Sequence, residues 1–140
     1  MRAVVIYESL TGNTRRAAGH IGTRLDQAGV ATAVMPITAI DYQALEEADL
    51  VIVGTWTDGI VLFGQRPGRA GRLRNLPFIA GKRCAAYVTY AIDQGKALEK
   101  LVAILEDRGA DVIGGMAIRR DKIAAGAAEF VSRVLDVVNA

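Results

Sequence analysis

The sequence predicts an α/β domain in which helices cover both faces of a parallel sheet. Two observations carry this expectation. Five short apolar segments alternate with segments whose apolar residues recur at helical spacing. Several of the strand-like segments are unbroken apolar runs, the mark of strands buried on both faces. Parallel neighbours need a covering crossover, and right-handed crossovers wind the helices onto both sides. With 140 residues the chain is expected to form one domain, 1–140, large enough to bury a proper core.

The elements follow in order. Ala3, Val4, Val5, Ile6 and Tyr7 form a first strand that stops at Glu8. The apolar spacing then widens to Ala17, Ala18, Ile21, Leu25 and Ala28, a helix stopped at Gly29. Residues 30–37 read as a second strand with Pro36 at its end, where a missing donor does little harm. Asp41 caps a short helix over 41–48, and 50–53 is a third, central strand ended by Gly54. A long connection, 55–82, is expected to hold a helix within 67–75, with Pro67 in its first turn and Pro77 closing the region. Residues 83–90 form a fourth strand, 95–108 a helix stopped by Gly109, and 111–118 a fifth strand weakened by Gly114 and Gly115. A helix over 121–138 closes the chain.

The junction after the first strand is rich in neutral donors: Ser9, Thr11, Gly12, Asn13 and Thr14 precede a helix N-terminus. Amides there lack intrahelical partners, and the helix dipole favours an anion. With no lysine or arginine before Arg15, a phosphate would be held by neutral groups, unlike the nucleotide P-loop. The same residues also suit a plain N-cap and a sharp turn, and the turn alone leaves both readings open.

Composition narrows the function. Hydrophobic residues make up 51% and charged residues 23%, as in a folded globular protein. No apolar run reaches the length of a membrane span and the first strand leaves no room for a signal peptide, so a cytoplasmic location is expected. Cys84 falls in an apolar strand and reads as a buried, inert thiol; His20 reads as a surface residue, and no metal site is expected. The net charge of +2 is unevenly spread. Between residues 59 and 92 there is no acid, while Arg66, Arg69, Arg72, Arg74, Lys82 and Arg83 fall there. That segment is either a docking face for an anionic partner or a solvated surface. Nucleic acid is not expected, because no aromatics interleave with these bases.

Ser9-Leu10-Thr11-Gly12-Asn13-Thr14, directly after a first strand, resembles the phosphate loop of flavodoxins. The resemblance covers essentially the whole chain. It implies a flavodoxin-like three-layer sandwich with a five-stranded parallel sheet in the order 2-1-3-4-5, the order for which flavodoxin is a standard example, with FMN at the switch point between the first and third strands. By the same resemblance, the hydroxyls of Ser9, Thr11 and Thr14 and the amides of residues 10–14 hold the FMN phosphate.

Two further loops should meet the flavin. The third-strand loop offers Thr55, Trp56, Thr57, Asp58 and Gly59. Trp56, the only tryptophan, is either a plate for a planar ring or a lid on the core. Asp58-Gly59 is a turn dipeptide, and the resemblance makes it the candidate for the flipping peptide whose carbonyl accepts from the reduced flavin. The fourth-strand loop offers Thr89, Tyr90, Ala91, Gln94 and Gly95, with Tyr90 either the second aromatic or simply the strand end. This chain departs from the family in three ways. Its tryptophan comes early in the loop, its fourth loop is short, as in flavodoxin domains of larger flavoproteins, and it is not acidic.

The resemblance therefore implies an FMN-binding electron-transfer protein cycling between oxidised, semiquinone and hydroquinone flavin. Its partners would be a reductase and an electron acceptor, docking through Arg66, Arg69, Arg72 and Arg74. Arginines close to the ring would make the hydroquinone potential less negative than in an acidic flavodoxin. Nothing in the chain gathers a general acid, a base and a nucleophile. Two alternatives stand: an FMN-dependent oxidoreductase acting on a quinone, porphyrinogen or similar small substrate, and a flavin-free partner-binding domain.

Overall fold

The computed structural model describes residues 1–58, 66–77 and 79–140. Strand β1 (Arg2–Tyr7) lies inside a sheet, with β2 (Ala31–Pro36) on one side and β3 (Leu50–Asp58) on the other. Beyond β3 come β5 (Arg83–Tyr90) and β6 (Asp111–Arg119), giving the order β2-β1-β3-β5-β6, parallel throughout. This is the expected 2-1-3-4-5 arrangement, with one addition. A two-residue strand, β4 (Arg66–Pro67), pairs antiparallel with the far end of β3.

Alternation along the strands divides the core between two helical layers. Val5 and Ile52 face α1 (Asn13–Gln27) and α5 (Ile123–Val138), packing with Ile21, Leu25, Phe130 and Val134. Val4, Ile6, Val51 and Val53 face the other way. They meet Leu45 of α2 (Tyr42–Glu47), Leu73 of α3 (Ala70–Leu73) and Leu101 and Leu105 of α4 (Ala97–Asp107). Asp41 caps α2 by accepting from the Ala44 amide at 3.1 Å.

Two expectations are corrected. Gly54 does not end the third strand, which runs on to Asp58, so Thr55, Trp56, Thr57 and Asp58 are strand residues and not a loop. Glycine stands at 54 because the ring of Tyr87 crosses it: a Cβ there would lie 1.9 Å from Tyr87 Cζ. Pro67 belongs to β4 and not to a helix start; the helix that follows has only four residues. Antiparallel pairing is compatible with proline at an edge, where its lack of an N–H breaks no interior ladder bond. Gly59 lies outside the described residues.

Tyr87 is fully buried, packs edge-on against Phe130 at 5.9 Å between centroids, and donates its hydroxyl to the Thr14 carbonyl at 2.9 Å. Its ring therefore has little room to yield. We predict that Gly54→Ala lowers stability by about 2–3 kcal/mol through overpacking, measured by urea unfolding.

Burial also governs the titration of this core. It pushes the Cys84 thiol up from 9.0 to about 12, with Lys82 pulling it back and Asp111 adding to it. Tyr87 moves in the same direction, first by burial and then through Tyr7. Below its ordinary pKa each group is neutral in both states; above it, only the unfolded chain ionises freely. Stability should therefore be intact below pH 9 and fall as pH rises towards about 12. Unfolding at a series of alkaline pH values checks this, and Cys84→Ala should remove part of the slope.

Candidate functional site

The site begins where β1 ends. The Glu8 amide donates to the Gly54 carbonyl at 2.9 Å, continuing the ladder one residue beyond Tyr7. Ser9 Oγ then accepts from the Gly12 amide at 3.1 Å, closing a tight turn. Gly12 precedes α1 with φ of 98°, a left-handed conformation that side chains disfavour. No side chain caps α1 and its first turn contains no acid. Its leading amides thus lack an anionic or hydroxyl partner among the described residues, at the positive end of the dipole.

Behind the turn, Thr14 and Thr89 are buried with their hydroxyl oxygens 3.0 Å apart. One proton serves that bond, so the pair retains a second for another acceptor. Thr57 Oγ1 is buried with no hydrogen-bond partner, a costly condition that a bound polar group would relieve.

These residues surround a cavity of about 190 Å³. Leu10, Thr11, Asn13 and Thr14 come from the first turn, Trp56 and Thr57 from the end of β3, and Thr89, Tyr90 and Ala91 from the end of β5. The cavity lies beyond the carboxyl ends of neighbouring parallel strands, where connections leave to opposite faces of the sheet. Its rim is open, with Leu10, Thr11, Ala91 and Arg120 exposed. Trp56, Tyr90, Thr57 and Asn13 are half-buried.

The remaining expected residues take other positions. Ser9 and Gly12 shape the turn. Thr55 does not line the cavity: it is buried, its hydroxyl donating to the Gly68 carbonyl at 2.8 Å. Asp58 pairs with Arg66 at 3.4 Å. Gln94 and Gly95 organise the start of α4: Gln94 Oε1 accepts from the Leu98 amide, and the Gly95 amide donates to Asp93 Oδ1. Arg120, which sequence reasoning missed, is the cation in the cavity wall. It follows β6 directly and its amide is fixed by the Tyr90 carbonyl at 2.9 Å. The signal available was a basic pair, Arg119 and Arg120, at the end of the last strand.

A larger recess of about 500 Å³ lies between the β4–α3 segment and α4, lined by Arg66, Arg69, Arg74 and Lys100 together with Asp58 and Asp107. It includes none of the turn residues 9–14 and lacks the aromatic walls of the smaller cavity. The arginines first read as one docking face are divided. Arg69 and Arg72 reach the buried Glu8 at 3.0 Å each. Arg66 holds Asp58, leaving Arg74 without an ion pair among the described residues.

Fold and cavity together define a doubly wound protein with a cleft at the switch point. Residues 4–134 match the model of the Flavodoxin domain, and the chain belongs to that family. No curated protein matches it. Among solved structures it is similar to the two-electron reduced flavodoxin of Megasphaera elsdenii, with TM-score 0.78, 21% identity, and coverage of 96% of this chain and 98% of that one. It is similar to a flavodoxin from the domain Archaea, with TM-score 0.70, 20% identity and coverage of 96% and 99%. It also resembles part of the rubredoxin:oxygen oxidoreductase of Desulfovibrio gigas, with TM-score 0.67 and 20% identity, over 99% of this chain but 37% of that protein.

The hydroxyl pair yields a prediction independent of any ligand. Thr14→Val leaves Thr89 buried without its partner and should cost about 1–3 kcal/mol, whereas Thr14→Ser should cost less. Urea unfolding of both variants makes the comparison.

Proposed function

We propose that this chain binds FMN in the smaller cavity and passes electrons between protein partners. The observation that carries the reading is the uncapped start of α1 at a cavity containing the unpartnered hydroxyl of Thr57 and two half-buried aromatics. A helix N-terminus suits a phosphate, the spare hydroxyl protons suit polar edges, and Trp56 and Tyr90 suit a flat ring. The residues present fit the group. The amides of residues 10–14 and the hydroxyls of Ser9, Thr11 and Thr14 would hold the phosphate. Trp56 and Tyr90 would flank the ring, with Thr57, Thr89 and Ala91 near its polar edge. Bound FMN supplies the ability to take and give electrons singly or in pairs.

The shape of the cavity favours a carrier. Its rim is open, with Leu10, Thr11 and Ala91 exposed. A ligand held there keeps an edge in solvent, where a reductase or an acceptor can approach. The second reading, an oxidoreductase acting on a small substrate such as a quinone or porphyrinogen, is favoured by the larger recess. Its Arg66, Arg69, Arg74 and Lys100 suit a carboxylated molecule or an acidic partner. The pairing of Arg66, Arg69 and Arg72 with Asp58 and Glu8 weakens any such attraction, with Arg74 the least engaged of the four. Among the described residues no helix is long and apolar enough to cross a membrane.

The test is an absorption spectrum of the purified protein, identification of any chromophore released on denaturation, and titration of the apoprotein with FMN. A flavin spectrum, FMN on release and photoreduction in two separable one-electron steps are expected. A colourless protein that takes up no added FMN overturns the reading and leaves a partner-binding domain. Turnover of a small substrate, with no separation of the two steps, favours the oxidoreductase.

A further inference from the structure

Glu8 is the one charged side chain buried among the described residues, with 4% of its surface exposed. A carboxylate in that position is costly unless paired, and two guanidinium groups meet it, Arg69 on Oε1 and Arg72 on Oε2. Arg69 is unusual in two further respects. Its φ of 48° places it in the left-handed region, which a residue with a side chain adopts only against steric strain. Its guanidinium carbon also lies 5.6 Å from the centroid of the Trp56 ring, within cation–π range.

The residue before it adds a third contact. Gly68 donates its amide to the Trp56 carbonyl at 2.8 Å and lies so close to the indole that a Cβ would come 2.2 Å from Cε2. The strained turn at 68–69 is therefore held against Trp56 from one side and against Glu8 from the other. Trp56 in turn forms part of the cavity wall.

We propose that Glu8, acting through Arg69, fixes the orientation of Trp56 and so shapes the wall against which the ligand's flat ring lies. Glu8 and Arg69 are then positioning residues. The identity of the ligand rests on the flavin reading; the coupling of Glu8, Arg69 and Trp56 does not. Arg69→Lys keeps a cation beside Glu8 but loses the planar group that reaches both the carboxylate and the indole. Arg72 provides an internal comparison: it pairs with Glu8, whereas among the described residues it is Arg69 that lies over the indole.

Trp56 is the only tryptophan in the chain, so its emission reports the wall directly. The experiment compares emission and iodide quenching of the flavin-free full chain in wild type, Arg69→Lys, Glu8→Gln and Arg72→Lys, with circular dichroism confirming folding. Red-shifted, more quenchable emission is expected in Arg69→Lys and Glu8→Gln, and wild-type behaviour in Arg72→Lys. Titration with FMN and riboflavin supplies the second readout. Arg69→Lys should weaken both ligands by the same factor, about fivefold for the loss of a cation–π contact, because the ring is common to both. Thr11→Ala should weaken FMN alone.

Unchanged emission in Arg69→Lys overturns the proposal, as does a loss of affinity confined to FMN. A Glu8→Gln chain that does not fold leaves Arg69→Lys to decide, since that variant retains the buried charge pair. If wild type binds neither flavin, the functional reading fails while the emission comparison still decides the coupling.

Discussion

A carboxylate removed from water must find positive charge, and Glu8 at the end of β1 finds it 61 and 64 residues further along the chain. That requirement organises the end of the sheet where the site lies. β3 overruns its parallel neighbours and pairs antiparallel with β4, after which Arg69, just before α3, and Arg72, within it, reach Glu8. The pair stabilises less than its geometry suggests, because desolvation offsets most of the attraction. Removing one partner is another matter, since it strands a buried charge. The arrangement therefore specifies where the segment goes more than it adds to overall stability.

The opposite side of the same cavity is tied to the core by neutral groups. Tyr87 spans from Phe130 to the first turn of α1, and Thr14 bridges from that turn to Thr89 on β5. The start of α1 is thus held through its backbone carbonyl and one hydroxyl, while its leading amides are left without a side-chain cap. A charged side chain in the turn would compete with an incoming anion; Ser9, Thr11 and Asn13 do not. Rigid support behind the helix start and free donors in front of it are what a phosphate site requires.

Much of this was legible in the sequence because local and global signals agree. Residues 83–90 read as a strand and are one, bounded by Lys82-Arg83 and the polar turn after Tyr90. The turn 9–14 was identifiable because hydroxyls and glycine follow an apolar run directly. Other features depend on partners distant in sequence. Gly54 looks like a strand end, yet the chain needs glycine there because Tyr87, 33 positions on, lies across it. Pro67 resembles a helix start because that rule ignores edge pairing with Thr57. The burial of Glu8 has no local signature, since a charged residue after a strand ordinarily points to water. Only the paired arginines explain it. Thr55 and Thr57 lie two residues apart on β3, yet Thr55 is engaged by the Gly68 carbonyl while Thr57 lines the cavity, a division that depends on the distant β4 segment and not on local sequence.

The central claim is that neutral donors at the start of α1 and the wall built on Trp56 hold FMN together. A crystal structure of the protein with FMN tests it most directly. The phosphate is expected on the amides and hydroxyls of residues 9–14, without an ion pair to Arg15, Arg16 or Arg120, and the ring against Trp56 and Tyr90. A phosphate bound by arginine, or FMN in the recess between the β4–α3 segment and α4, contradicts it.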